Sequence, residues 1–151
     1  MRERISAAMR EAEQAGDATR VATLRLMAAA IRDRDLAARA GAGCAVADDV
    51  AVLELVERMI RQREAAARAY EEGGRLELAE RERAEVAVIR TFLPRPMTEA
   101  EISHAVEGAI AELGARGIRD VGRVMAWLKE RYMGRLDFGQ AGVKVRAALG
   151  G

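Results

Sequence analysis

The sequence predicts an all-α protein, and three observations carry that expectation. Ala and Leu dominate over Val, Ile and Phe, and only 3% of residues are aromatic, so strong helix formers stand where strand formers would be needed. Apolar residues recur at three- and four-residue spacing along most of the chain. Helix-starting and helix-stopping residues punctuate that pattern at regular intervals.

The elements follow in order. Ile5, Met9 and Ala12 share one helical face, and Gly16 ends the first helix. Asp17 is placed to cap a second, "ATRVATLRLMAAAIRDRDLAAR", with Val21, Leu24, Met27 or Ala28, and Ile31 turned inward, until "AGAG" breaks it. Asp48 or Asp49 caps a third helix reaching about Glu72, with Val52 or Leu53, Val56, Met59 or Ile60, and Ala67 apolar. Gly73 and Gly74 stop it, and a fourth helix runs through "RLELAERERAEVAVIRTFL". Pro94 and Pro96, the only prolines, bar its continuation. Thr98 with Glu101 three residues later is a capping box that opens a fifth helix carrying Ile102, Val106 and Ile110. Asp120 is placed to cap a sixth helix, "VGRVMAWLKERYM", and Asp137 a seventh, "FGQAGVKVRAAL". The expected organisation is an N-terminal four-helix domain over residues 1–95 and a smaller three-helix domain over 96–151.

Several classes of function find no support. The single cysteine, Cys44, excludes an intramolecular disulfide and any Cys-based metal site; in its small-residue loop it reads as a spectator thiol. The single histidine, His104, lies on the flank of the fifth helix and reads as a surface or half-buried structural residue. The carboxylates of "ELAERERAE" read as a solvated face, with Glu77–Arg81 and Glu82 making pairs one turn apart. "GAGCAVADD" lacks the Lys-Ser/Thr of a phosphate-cradling loop. We therefore expect no catalytic residues, no metal and no cofactor. With no long apolar run and no signal-peptide pattern, a cytoplasmic setting and no membrane partner are expected; the sequence does not fix the oligomeric state.

The charge is balanced globally, at 25 basic and 24 acidic residues, but not locally. Residues 1–96 carry 17 of each sign; residues 97–114 hold Glu99, Glu101, Glu107 and Glu112 with no Lys or Arg. Residues 115–151 set eight basic groups against Asp120, Glu130 and Asp137. A basic segment of this kind is the footprint expected of phosphate-backbone binding. The candidate RNA-contacting residues are Arg119, Arg123, Lys129, Arg131, Arg135, Lys144 and Arg146, with Trp127 available to stack on a base. A plainer reading stands beside it: Arg123 and Lys129 as solvated positions, Trp127 as a core plug or interface anchor, and Gly122, Gly134 and Gly139 as marks of close packing and turns.

Three blocks carry a resemblance to a known family: "AGDATRVATLRLMAAAIRDRDLAAR", "VERMIRQREAAARAYEEGGRLELAERERAEVAVIRTFLPRPMTEAEI" and "DVGRVMAWLKERYMGRLDFGQAGVKVRAAL". The chain resembles the GatB/YqeY family, specifically the stand-alone YqeY-like proteins. Its last block is similar to the tail domain of the B subunit of glutamine-dependent aminoacyl-tRNA amidotransferase, departing from it at the bulky "WLKERYM". The resemblance implies an all-helical fold and a role in recognising the tRNA body rather than in chemistry. Two readings agree with that resemblance, a non-catalytic tRNA- or RNA-binding accessory protein and a tRNA-recognition component working with amidotransferase subunits; a third, apart from it, is a helical protein-interaction module in which the four-helix unit binds a protein. The label of carbon–nitrogen ligase with glutamine as amide donor belongs, on this reading, to the larger relatives.

Overall fold

A computed structural model describes residues 1–43 and 46–150. Among them the chain is all-helical, with no strand: α1 (Arg2–Ala15), α2 (Ala18–Ala42), α3 (Asp49–Glu72), α4 (Leu76–Arg90), α5 (Glu99–Leu113), a 3-10 turn (Ile118–Asp120), α6 (Val121–Tyr132) and α7 (Phe138–Gly150). Cys44, read above as a spectator thiol, lies outside the described residues. The chain divides into two compact units, Met1–Leu93 and Pro94–Gly151.

The helix ends of the first unit are set by local chemistry. Gly16 adopts φ 71° and accommodates the left-handed turn after α1, a conformation that costs a residue with a Cβ. The Asp17 carboxylate then accepts the Arg20 N–H at 3.0 Å, and Asp48 does the same for Ala51 at 2.8 Å, each satisfying an orphan donor of a helix start. α2 runs three residues past the expected stop at Arg39, ending at Gly43 in the left-handed region. Ile5, Leu24, Met27, Val52, Val56 and Ile89 are buried to 2% exposure or less and form the middle of this core. α3 packs along α4, and α2 touches α1, α3 and α4. α1 packs against α2 alone among the helices.

One expectation about α4 is corrected. Its charged residues were read as pairing along the helix, yet the ion pairs run across to α3: Arg63–Glu85 at 2.8 Å, Arg83–Glu71 and Arg90–Glu64. Glu77, Arg81 and Glu82 make no ion pair among the described residues. α3 and α4 pack side by side, which brings these opposite charges together.

In the second unit the capping box is complete. Thr98 Oγ1 accepts the Glu101 N–H at 3.2 Å, and the Glu101 carboxylate accepts the Thr98 N–H at 2.7 Å. Gly114, at φ 62°, closes α5. Asp137 caps α7 through the Gln140 N–H at 3.1 Å. Asp120 does not cap α6. Its carboxylate turns back to accept the N–H groups of Arg116 at 2.9 Å and Gly117 at 3.4 Å, closing the turn that precedes the helix. The core joins Ile102, Val106, Val124, Leu128, Leu136, Val145 and Leu149 with the alanines 105, 109, 115 and 141, small side chains that let α5, α6 and α7 come close.

Candidate nucleic-acid interface

The eight candidate residues lie in the second unit but not in one patch. Arg123, Trp127 and Arg131 are spaced four apart on α6 and form a stripe on one flank. At 100° per residue, Lys129 stands about 120–160° round the helix from them. Arg135 and Lys144 lie near the start of α5: Arg135 Nε donates to the Arg95 carbonyl at 3.1 Å, and Lys144 Nζ reaches Glu99 at 3.4 Å. Arg119 is exposed in the 3-10 turn. Arg146 folds over Gly142, its Nη1 3.3 Å from where a Cβ would stand.

The fold places the acidic α5 against the basic helices, and this the sequence did not disclose. Glu112 pairs with Arg131 at 3.5 Å, Glu99 with Lys144 at 3.4 Å, and Glu101 with Arg95 at 2.7 Å. Arg123 donates to the Leu113 carbonyl and to Asp120, both at 3.2 Å. A cation on that carbonyl satisfies an unpaired acceptor at the negative end of α5. Much of the basic segment is therefore compensated within its own unit. Arg95, counted above with residues 1–96, belongs to this network of the second unit, and Arg135 is tied twice: the Met97 N–H also donates to its carbonyl at 2.9 Å.

The α6 stripe is only partly compensated. Arg123 and Arg131 leave 56% and 53% of their side chains exposed, and each pairs through one nitrogen of a guanidinium that has five N–H donors. Trp127 is half-buried against the core, so the plug reading describes its inner side. The Arg131 guanidinium carbon lies 4.2 Å from its ring centroid, and Tyr132 stands 6.4 Å away at 58°. A guanidinium stacked on an indole is a flat cationic surface suited to a base or a phosphate. Gly134, at φ 81°, marks a turn as expected, whereas Gly122 has no atom within 4 Å of a would-be Cβ and so marks no close packing.

Two carboxyls of this unit are perturbed. Glu101 is lowered to about 2, first by the Arg95 guanidinium and then by the Thr98 N–H. Asp120 is lowered chiefly by the Arg116 N–H, with Gly117 and Arg123 adding to it. Both are explained by turn and cap contacts and neither marks a proton-transfer site. His104 is exposed. Among the described residues no group of three or more His, Cys, Asp or Glu is arranged to hold a metal, and no helix is long and apolar enough to cross a membrane.

These features define a helical protein with a cationic, aromatic-backed surface stripe. The family model described as Yqey-like protein matches residues 2–149, nearly the whole chain, and the chain belongs to that family. No curated protein matches it.

Proposed function

We propose that this protein is a non-catalytic accessory protein that binds tRNA or another RNA through the Arg123–Trp127–Arg131 stripe. The supporting observation is the stacked Arg131–Trp127 pair with exposed Arg123 one turn away. Phosphates bind the guanidinium groups in exchange for Glu112 and Asp120, and an exposed base lies against the Trp127–Arg131 surface. Arg119, Lys129 and Arg146 contribute longer-range attraction. Arg135 and Lys144 serve first to fasten the segment before α5. In this reading the four-helix and three-helix arrangement corresponds to a helical body carrying an amidotransferase-type tail, and the setting is cytoplasmic.

The test is binding of bulk tRNA across a salt series, with a DNA duplex of equal length as control. Each neutralised phosphate contributes a slope of roughly −0.7 to −0.9 in log affinity against log salt, so four contacts give about −3. A tRNA preference with that slope supports the proposal. No binding at low salt contradicts it.

A further inference from the structure

An RNA offers a protein surface its phosphates, its base edges and its base faces. At the α6 stripe charge does not choose between paired and unpaired RNA. Both forms carry phosphates, and Glu112, Asp120 and the exposed Glu130 stand by the stripe in either case. Stacking does choose. The Arg131 guanidinium carbon lies 4.2 Å from the Trp127 ring centroid, so the indole covers one face of the cation. Glu112 engages a single nitrogen of that group, and 53% of the side chain stays exposed, which leaves its outer face as a stacking plane. Tyr132, 6.4 Å from Trp127 and tilted by 58°, extends the aromatic surface beside it. A stacking plane takes a base by its face. Inside a duplex each base face is covered by the next pair, so only unpaired bases and the duplex ends can be taken.

The neighbouring residues agree with this. Gly122 and Ala126 are exposed beside the stripe, and nothing lies within 4 Å of where a Gly122 Cβ would stand. The ring and the guanidinium therefore rise above the helix surface on that side. From Ala105 to Gly139 the sequence contains no Ser, Thr, Asn or Gln. Hydroxyl and amide side chains of that kind read base edges and the 2′-hydroxyls of a duplex minor groove. α6 can thus hold bases by stacking and phosphates by charge, with few means to read a sequence or a groove. From Arg123 to Arg131 the helix rises about 12 Å, roughly the length of three or four stacked nucleotides. Resting on the RNA reading given above, we propose that the stripe is a single-strand site, which binds an unpaired run of roughly three or four nucleotides, tolerant of sequence, in preference to fully paired RNA.

The probe is an unstructured RNA of about eight nucleotides, titrated with the full chain. It is compared with the same strand in a blunt duplex and with a copy whose central bases are abasic. Anisotropy of the labelled strand gives each affinity at one salt concentration. The unpaired strand binds more tightly than the duplex by about fivefold or more, although the duplex holds about twice the phosphates, and the abasic copy loses about as much. A shuffled sequence of the same composition binds within about threefold. Arg131→Lys keeps the charge and removes the planar face, so it weakens the unpaired strand severalfold and leaves the duplex unchanged. That position is exposed, so the helical circular dichroism is retained. Trp127→Leu still fills the inner side of the residue and acts in the same direction. A smaller advantage over the duplex, an abasic copy that binds as well as the intact one, or a larger sequence preference overturns the proposal. If tRNA still binds with the salt slope given above, the RNA reading stands and only the strandedness falls; no tRNA binding at low salt removes both.

Discussion

The two units handle charge differently. In the first, opposite charges alternate along α3 and α4, and the cross-helix pairs Arg63–Glu85, Arg83–Glu71 and Arg90–Glu64 join partners that already sit in mixed-sign segments. In the second, an acidic α5 precedes a basic stretch, and the fold brings the two together through Glu112–Arg131 and Glu99–Lys144. A segregated sequence therefore does not make a segregated surface. What survives compensation is a short stripe whose guanidinium groups are half-engaged and half-exposed. Such exposed pairs contribute little to stability, typically about 0–1 kcal/mol each, so they can be exchanged for phosphates at small cost.

The largest effect expected from this contrast lies in the core of the second unit. Leu128 is fully buried among alanines and valines, and Leu128→Ala costs about 2–5 kcal/mol. Trp127 is the only tryptophan in the chain, so its emission during urea unfolding reads this unit. A loss below about 1 kcal/mol contradicts the packing described.

Reversing Arg123 and Arg131 to Glu weakens tRNA binding by tenfold or more, on the order of 1.4 kcal/mol, while reversing Arg68 and Arg83 in the first unit changes it less than about twofold. Equal losses from both pairs would mean that diffuse charge, not the stripe, holds the RNA.

The α5 cap comes third. Thr98→Ala removes one half of the capping box and costs about 1 kcal/mol. The acid side checks the other half. Glu101 is lowered from an ordinary 4.5 to about 2, so its contribution is complete above the ordinary value and is lost as pH falls toward the folded one. Carboxyl NMR of Glu101 is expected to titrate near 2, and a midpoint near 4.5 contradicts the Arg95 clasp.

The smallest expected effect is a gain. Glu112→Gln releases Arg131 from its carboxylate, and tRNA affinity rises about two- to threefold, a few tenths of a kcal/mol. A fall in affinity would show that Glu112 positions Arg131 rather than competing for it.

Helix identities and starts were legible because their causes are local. Asp17, Asp48 and Asp137 cap the helices that follow them, and Thr98 and Glu101 close their box, all within three residues. The inward faces of α2 and α3 follow from periodicity alone. Asp120 misled because two backbone geometries compete for one carboxylate, and the turn behind it prevailed over the helix ahead. The α3–α4 pairs and the pairing of α5 with α6 and α7 were hidden because they join residues 12 to 45 positions apart, which no local pattern reports. The stripe itself was readable as the spacing Arg123, Trp127, Arg131, but the grouping of all eight candidates was not, because charge counted along a sequence carries no helical phase.

The measurement that tests the central claim most directly is the fluorescence of Trp127 during titration with tRNA. The account predicts saturable quenching whose midpoint matches the binding midpoint and moves with salt. Binding detected by anisotropy of labelled tRNA with Trp127 emission unchanged would contradict it, placing the RNA away from the α6 stripe.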